Sequence, residues 1–513
     1  MENYSEANKR IAKNTILLYI NLFSAMLIGL YTSRVVLRIL GVSDYGLFNV
    51  VGGVMALFTF LQGSLAKATS RFINVELGKK DGDMNHIFNV CQLLHIILAA
   101  IIIILAETVG LWYIYNYLNV APGKMDDAIF VYQISIITVS LGIINTPYGA
   151  LFGSHERFLF TTSVSIINLI LRLILVILMQ YYNGNHLRYY AVAMSFTTVN
   201  AFALYHWVAY RNWPTYIKWK FVKGWKNYKE MLVFSNYNIL STLSFMARGT
   251  GSDLLINLFF GTAVNGAYAI AKSVSSYVTS FTAKFDSASG PQIIKAYSEG
   301  NLGRCYELVF KIGKFGLLLF EWVFFPLIIE IEFILHLWLG KVPEDAVDFC
   351  YATLLIAAVA FTGGGITQVI NASGKVKWFK IQVSFWFLIC VPIGYLLFKL
   401  GLPPTSILYM FVLADIIQRT IQLYLMKRIL NFDSVLFIKK AYVRPFIISV
   451  VMSIYAIMYS HLQITNDLQR IIGILACFVV GSCLIFYLGL TNGEREKLLS
   501  FIGKKLKIKK YAN

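Results

Sequence analysis

Hydrophobic residues occur along this chain in long runs, each separated from the next by a short polar segment. An α-helix needs about 20 apolar residues to cross the roughly 30 Å hydrocarbon layer of a bilayer. The pattern therefore predicts an all-α polytopic membrane protein with about fourteen transmembrane helices. The predicted spans lie near residues 14–34, 45–66, 88–108, 128–150, 158–179, 190–210, 231–257, 263–285, 307–330, 347–370, 379–400, 405–426, 444–461 and 470–490.

The composition agrees with lipid as the main solvent. Of the 513 residues, 58% are hydrophobic and 14% are charged, and the mean hydropathy is +0.65. Soluble domains carry about a quarter charged residues. No glycine-rich phosphate loop ends in Gly-Lys-Ser/Thr, which excludes an ATPase of that class. Neither the six cysteines nor the seven histidines show metal-ligand spacing, so we expect no cofactor and no metal.

Basic residues are distributed unequally between the segments that join the predicted helices. With the amino terminus inside, the cytoplasmic segments contain 32 of the 45 Lys and Arg residues, and the outer loops contain seven. By the positive-inside rule, this bias predicts that both termini are cytoplasmic. The seven outer cations are Arg34, Arg38, Lys124, Arg188, Lys341, Lys399 and Arg470.

The polar segment 211–230 divides the chain after the sixth helix. Its six basic residues alternate with aromatic ones, a pattern typical of amphipathic segments that lie on the inner leaflet. The tail, residues 491–513, is a second basic region. Together the two regions predict anionic lipids as partners, in preference to nucleic acid. The cations near the end of the tail are Lys504, Lys505, Lys507, Lys509 and Lys510.

The two halves of the chain share a pattern at an offset of 220 residues. GVSDYGLF at 41–48 aligns without gaps with GTAVNGAY at 261–268. Because six helices are an even number, the two copies keep the same orientation, as in transporters with two lobes around a central cavity. The predicted organisation is an N-terminal six-helix lobe (1–210), a linker (211–230), a C-terminal six-helix lobe (231–427), an extra helix pair (428–490) and the tail (491–513).

The hairpin between helices 1 and 2 carries a recognisable motif. YTSRVVLRILGVSDYGLFN at 31–49 has Leu-Gly, two variable residues and Asp-Tyr-Gly, and it is similar to the hairpin of polysaccharide flippases. The small-residue loop Ala66 to Ser70 and the Pro-Tyr-Gly-Ala of Pro147 to Ala150 match the same family. The chain thus resembles the O-antigen and capsule repeat-unit flippases of the multidrug/oligosaccharidyl-lipid/polysaccharide exporter (MOP) superfamily.

This resemblance implies a role in surface polysaccharide synthesis. A family member is expected to move undecaprenyl-pyrophosphate-linked oligosaccharide from the inner to the outer leaflet of the bacterial cytoplasmic membrane by alternating access. Other polysaccharide-assembly membrane proteins are implied as partners. The extra helix pair resembles that of the peptidoglycan lipid II flippase, where it shapes a groove for the lipid tail. That branch carries arginines early in helix 1, whereas Thr15 to Thr32 is uncharged here, which argues against the peptidoglycan substrate.

Two cations flank the predicted turn between helices 7 and 8. Arg248 lies 13 residues before Gly261 and Lys272 lies 11 residues after it, so at 1.5 Å per residue both lie roughly 15–20 Å below the turn. Like charges at one depth repel, and an anion such as the substrate's pyrophosphate would relieve that repulsion. The alternative is that Arg248 pairs with Asp253 and that Lys272 snorkels.

Two further arginines interrupt apolar runs, where a charge costs at least about 2.5–3.5 kcal/mol without a partner or an aqueous cavity. Arg172 is predicted either to line the substrate cavity or to bond a buried neighbour such as Asn168. Arg419 either lines the cavity or pairs with Asp415, which lies four residues earlier on the same helix.

The acidic residues within the runs are candidates for ion coupling. Glu321 is predicted to be either a proton or cation site or the partner of Lys314. Asp253 and Asp415 are the other two candidates. Lys311 and Lys314 lie near the inner end of helix 9, from which they can snorkel to the headgroups.

Two other classes of function compete with the flippase. A cation-coupled multidrug exporter of the same superfamily should have an acidic cavity, but the only acid in the first-lobe runs is Glu107, at the outer end of helix 3. A membrane-embedded glycosyltransferase should have paired carboxylates or a large outer loop. The longest outer connection, about residues 109–127, is too short for a catalytic domain. The excess of deep cations favours an anionic substrate and a protein that is not an enzyme.

Overall fold

The computed structural model describes residues 4–79, 81–155, 157–462, 464, 466–496 and 499–500. In this part of the chain all regular elements are helices, as the apolar runs predict. Four short π or 3₁₀ segments adjoin them, at Ala106–Gly110, Met179–Tyr181, Ile438–Tyr442 and Ile485–Gly489. The helices are α1 (Tyr4–Phe58), α2 (Phe60–Leu77), α3 (Met84–Leu105), α4 (Leu111–Tyr117), α5 (Met125–Ser154), α6 (Phe158–Leu178), α7 (His186–Asn212), α8 (Pro214–Ile217), α9 (Lys226–Ser298), α10 (Leu302–Ile329), α11 (Ile331–Leu339), α12 (Ala346–Phe361), α13 (Ile366–Ser373), α14 (Lys377–Lys399), α15 (Ser406–Leu430), α16 (Ser434–Phe437), α17 (Val443–Ser460) and α18 (Asp467–Leu484).

Among the described residues, 10 helical stretches are long and apolar enough to cross a membrane, and α12 with α13, bent by 49°, makes up to 11. Every predicted run lies on a helix. Two stretches hold two runs each, because α1 and α9 are broken at Gly41 and Gly261, and one run lies on α7. The all-α polytopic fold is therefore confirmed, and the predicted number of spans is consistent with it.

Helices dominate because a bilayer offers no hydrogen bonds to an exposed backbone. Where helices begin at the water-facing ends, polar side chains take over the free N–H groups. Asp83 caps α3 by accepting from His86 N, and Asn301 caps α10 by accepting from Arg304 N. Asn185 and Asn466 do the same for α7 and α18.

The described chain divides into two compact units. The first comprises Met1–Ala269, Trp338–Asp345 and Phe387–Ile407, and the second comprises Ile270–Leu337, Ala346–Trp386 and Leu408–Asn513. In the first unit, α3 and α5 pack around fully buried side chains such as Phe88 and Tyr132. In the second, Phe320 packs with residues of α17 and α18, so the extra helix pair shares a core with α10.

The linker lies along the beginning of α3. The Asn85 amide donates to three carbonyl oxygens of the linker, and Asn89 both donates to Lys218 O and accepts from Lys220 N at 3.0 Å. The aromatic rings of Trp219, Phe221 and Trp225 remain exposed. The tail cations Lys504, Lys505, Lys507, Lys509 and Lys510 lie outside the described residues.

Candidate functional site

The two matching turns of the repeat have the same backbone conformation. Gly41 has φ 74° and ψ 172°, and Gly261 has φ 81° and ψ −175°. Only glycine adopts this region without strain. The aligned glycines therefore occupy equivalent breaks, one in α1 and one in α9.

These two turns contact each other within the first unit. Ser43 Oγ lies 2.9 Å from Thr262 Oγ1. A methyl group on Gly46 would overlap the carbonyl oxygen of Thr262, and one on Gly266 would overlap the carbonyl oxygen of Val42. Each glycine thus leaves room for the backbone of the other turn, and the glycine pair matched at an offset of 220 residues is a pair in space.

An ion-pair network holds the hairpin motif to the segments before α5 and α7. Lys124 Nζ lies 2.8 Å from Asp44 Oδ2 and 3.7 Å from Asp127 Oδ2. Asp127 also accepts from Arg188 Nε at 2.7 Å and from Asn185 Nδ2 at 2.9 Å. The hydrogen bond to Asp44, together with the two carboxylate charges, raises the pKa of Lys124. The aspartate of the Asp-Tyr-Gly motif therefore anchors the segment before α5.

A buried amide joins the same loop to α9. Asn257 is fully buried; its Oδ1 accepts from Asn119 N at 2.9 Å and its Nδ2 donates to Asn119 O at 3.0 Å. The side chain thus pairs with a backbone unit in both directions. A single polar residue in the apolar run LLINLFF was the available signal for this contact, but nothing in the sequence indicates Asn119 as its partner.

A polar cleft of about 410 Å³ lies between α2, α5 and α7. One face of α5 supplies glycines at 142, 149 and 153, where the space for a side chain is open. Tyr205 supplies an aromatic ring from α7. Asn145 Oδ1 and Ser154 Oγ have no hydrogen-bond partner among the described residues. The cleft includes Ala66 and Ser70, and Gly149 and Ala150 of the Pro-Tyr-Gly-Ala motif, from the two segments that carry the family resemblance. The prediction of a loop at Ala66 to Ser70 is wrong, because these residues lie within α2.

Arg248 lies in the first unit, where its guanidinium carbon is 4.5 Å from the centre of the Phe387 ring on α14. Asp253 and the buried Tyr268 belong to the same unit as Arg248. Asp253 O accepts from Asn265 Nδ2 at 2.8 Å. Lys272 is half-buried and belongs to the second unit. Its joint role with Arg248 stays a prediction.

Arg172 bonds a tyrosine from the next helix. Its Nη2 donates to Tyr190 Oη at 3.3 Å, and the Tyr190 ring packs 4.7 Å from that of Phe48. Asn168, the expected neighbour, instead accepts from Asn200 Nδ2 at 2.7 Å. Arg172 Nε is buried and has no hydrogen-bond partner among the described residues. One donor of this guanidinium therefore remains for another acceptor.

Arg419 supports the break between α12 and α13. Its guanidinium donates to Thr362 Oγ1 at 3.1 Å, to Ala360 O at 3.3 Å and to Gln422 Oε1. It occupies the space that a side chain at Gly363 would fill. Asp415, four residues earlier on α15, is buried. Arg419 thus satisfies the carbonyl oxygen of Ala360, at the end of α12 before the bend.

The lysines of α10 pair elsewhere than with Glu321. Lys311 forms an ion pair with Glu307 at 2.6 Å, and Lys314 forms one with Glu494, after α18. Burial alone would raise the pKa of the Glu494 carboxyl, but hydrogen bonds from Lys314 and from the Thr491 backbone outweigh it and lower that pKa. Glu321 accepts a hydrogen bond from Ser449 Oγ at 2.7 Å.

An apolar groove of about 370 Å³ runs between α10 and the segment that follows α18. Its polar exception is a hydrogen bond from Trp322 Nε1 to Ser482 Oγ at 2.9 Å. The groove is lined by Phe315, Leu318, Leu319, Trp322, Ser482, Ile485, Phe486 and Leu490. Such a lining suits a hydrocarbon chain.

A family model described as polysaccharide biosynthesis protein matches residues 11–297, more than half of the chain. The chain belongs to the polysaccharide biosynthesis protein family. The match covers both glycine turns, the cleft, Arg172, Arg248 and Lys272, and it confirms the resemblance that the hairpin indicates. No curated protein sequence matches the chain significantly.

Solved structures show that this family member has the MOP superfamily fold. An inward-facing multidrug resistance MATE family transporter of that superfamily aligns with TM-score 0.62 at 16% identity, over 82% of this chain and 98% of the other. The lipid II flippase MurJ, in an inward closed conformation, aligns with TM-score 0.62 at 14% identity, over 92% and 99%. A MOP superfamily transporter from Pyrococcus furiosus, described as having a binding pocket of reverse polarity, aligns with TM-score 0.57 at 15% identity, over 80% and 94%.

Proposed function

We propose that this protein is a flippase that moves undecaprenyl-pyrophosphate-linked oligosaccharide repeat units from the inner to the outer leaflet of the bacterial inner membrane. The observation that carries the proposal is the family match over residues 11–297. Flipping makes and breaks no covalent bond. The protein therefore has to recognise the substrate and open to each side in turn.

The substrate consists of a pyrophosphate, sugars and a polyprenyl tail, and a different feature of the protein suits each of these three parts. The deep cations suit the pyrophosphate, since guanidinium groups bind phosphate oxygens with charge-assisted hydrogen bonds. The polar cleft offers amides, hydroxyls and a tyrosine ring, which suit sugar hydroxyls and sugar faces. The apolar groove along α10 suits the polyprenyl tail.

Alternating access follows from the internal repeat. In this proposal the lobes 1–210 and 231–427 rock against each other around the substrate, while the extra pair 428–490 shapes the tail groove. Arg172 lies in a helix of the N-terminal lobe and adds a cavity cation through its Nε, which has no hydrogen-bond partner among the described residues. Arg419, in the other lobe, stays a candidate cavity cation. A multidrug exporter of organic cations is disfavoured because the one deep charge of the first-lobe runs, Arg172, is positive. The one acid in those runs, Glu107, is exposed, in the π segment between α3 and α4.

The test of the function is the chemistry of the lipids that accumulate without the protein. We expect cells lacking it to accumulate lipid-linked oligosaccharide on the cytoplasmic face, and the intact gene product to clear this pool. Mass spectrometry of extracted lipids identifies the sugars. An unchanged lipid-linked pool combined with loss of drug resistance would support the exporter instead.

Substitution of the two deep cations should impair clearance strongly. A hydrogen bond to a charged group contributes roughly 1.5–3 kcal/mol, so Arg248→Ala and Lys272→Ala should each reduce transport about tenfold or more. Arg248→Lys should retain part of the activity because it keeps the charge, whereas Arg248→Gln should retain little. Lys311→Ala is the matched control, because Lys311 pairs with Glu307 at the surface. Full clearance by both alanine variants would exclude the pyrophosphate role.

The orientation predicts a difference in labelling between two single-cysteine variants. Lys223→Cys in the linker should resist an impermeant thiol reagent added to intact cells, and Lys341→Cys in the loop after α11 should react. Both positions are exposed. The Cys483→Ser background removes the one exposed native cysteine, the other five being buried. Rapid labelling at position 223, with protection at 341, would reverse the topology.

A further inference from the structure

Glu321 is an acid in the interior of a membrane-spanning helix. It lies eight residues before the end of α10, which places it roughly 12 Å inside that end. Its side chain packs toward the core that α10 shares with α17 and α18, and only 7% of the residue is exposed. No other part of the proposed mechanism uses this residue.

The two carboxyl oxygens of Glu321 have different surroundings. Oε1 accepts from Ser449 Oγ of α17 at 2.7 Å. Oε2 is buried and has no hydrogen-bond partner among the described residues. A carboxylate accepts up to four hydrogen bonds, and one neutral hydroxyl satisfies only a small part of that capacity.

In the described part of the chain, four cations of α10, α17 and α18 bond groups other than Glu321. On α10 itself, Lys311 and Lys314 pair with Glu307 and Glu494. Arg444 of α17 points to the carbonyl oxygens of residues 488 and 489, and Arg470 of α18 bonds Ile464 O. Of the other charged groups on the described elements packed against α10, Arg304 and Glu330 lie at the two ends of α10 itself, and Asp348, Lys439, Lys440 and Asp467 lie at or before the first turns of α12, α17 and α18. The remaining titratable groups there are tyrosines and cysteines.

An ionised carboxylate without a counter-ion or donors is strongly disfavoured in a membrane interior. We propose that Glu321 binds a proton, and that the neutral acid, bonded to Ser449, docks the extra helix pair onto α10. The proton belongs to the docked state: where separation of α17 from α10 admits water, the carboxyl ionises near its usual pKa. Proton release therefore favours separation of α17 from α10.

Glu321 is adjacent to the apolar groove. Trp322, the next residue, lines the groove and bonds Ser482 of α18. Two other polar contacts of the described residues hold α10: Lys314 pairs with Glu494 of the tail, and Glu330 accepts from Tyr459 Oη of α17 at 2.8 Å. Glu321 lies between them along the helix. The protonation state of this contact thus controls how tightly one wall of the groove is held, whatever substrate the protein moves.

Infrared spectroscopy of the purified full-length protein tests the proton directly. At about pH 7, the wild type should show a carbonyl stretch of a protonated carboxylic acid that is missing from Glu321→Gln. Ser449→Ala keeps the acid and should shift that band to higher frequency, because it removes the hydrogen bond. Glu332→Gln, at an exposed acid, is the control and should leave the band unchanged. Identical acid bands in the wild type and in Glu321→Gln would overturn the proposal.

The stability of the same proteins tests the linkage. Between about pH 5 and the pKa of Glu321 in the docked state, the docked state binds up to one more proton than the unfolded state, so stability should fall as pH rises through this range. The unfolding equilibrium constant of the wild type should increase up to about tenfold per pH unit more steeply than that of Glu321→Gln. Glu332→Gln should keep the wild-type slope. Parallel curves for the wild type and Glu321→Gln would show that Glu321 carries no linked proton.

Discussion

A disulfide between positions 43 and 262 is expected to abolish transport while leaving the protein inserted. The Ser43 and Thr262 side chains meet at 2.9 Å in the contact between the two glycine turns. Alternating access requires these turns to separate when the cavity opens to the outside. The double variant Ser43→Cys/Thr262→Cys should therefore lose transport under oxidising conditions, and a reductant should restore it. Clearance of the lipid-linked pool is the measurement.

A second crosslink within the first six helices is the control. Asn168 and Asn200 bond each other at 2.7 Å between α6 and α7. Both lie in the predicted N-terminal lobe, which moves as one body in the proposed mechanism. Asn168→Cys/Asn200→Cys should thus form a disulfide and still transport. Full transport with the 43–262 bond intact would contradict rocking of the two lobes.

The positions of the helices could be predicted from the sequence for a physical reason. A bilayer imposes a length of about 20 apolar residues and forbids unpaired backbone, so hydrophobic runs translate directly into helices. The two breaks were also predictable, because glycine at 41 and at 261 stands in matching motifs. The weakest hydrophobic signal is that of α7. The sequence analysis predicts its run, but α7 is not among the helices that are apolar enough to span a membrane by composition alone.

The partners of the buried charges could not be predicted in the same way. The sequence offered neighbours on the same helix: Asn168 for Arg172, Asp415 for Arg419 and Lys314 for Glu321. The structure brings Tyr190 and Ser449 from other helices and Thr362 from the break between α12 and α13. Arg419 also bonds Gln422 of its own helix. A spacing of four residues permits a contact worth only about 0.2–0.5 kcal/mol on a helix. Tertiary packing therefore decides which partner a buried charge takes, and a single sequence does not reveal that packing.

The contact between the turns was indicated only in part. The alignment at an offset of 220 residues pairs Gly46 with Gly266, but an internal repeat requires equivalent positions and not contact. Contact arises here because each glycine lacks the side chain that would overlap the opposite backbone. Lys124, which anchors Asp44, lies in a loop 80 residues further along the chain. The Asp-Tyr-Gly motif itself does not indicate this partner.

Gly46→Ala is expected to weaken this contact far more than a glycine substitution elsewhere on the same helix. The new methyl group would overlap Thr262 O, and overpacking of a tight contact costs typically about 1–3 kcal/mol. The closed form of the turns should thus lose roughly 5-fold to 150-fold in population. Slower formation of the 43–262 disulfide measures this loss. Gly52→Ala is the control, because no atom lies within 4 Å of its added methyl group.

Gly266→Ala should have a similar effect, and the two substitutions should not be additive. A methyl group on Gly46 would also lie 2.8 Å from Gly266 N, so both changes disrupt one contact. Once the first has forced the turns apart, the second finds the space already open. The double variant should therefore form the disulfide about as slowly as the slower single variant. Additive effects would place the two glycines in separate contacts, and a Gly46→Ala rate equal to that of Gly52→Ala would exclude the tight approach altogether.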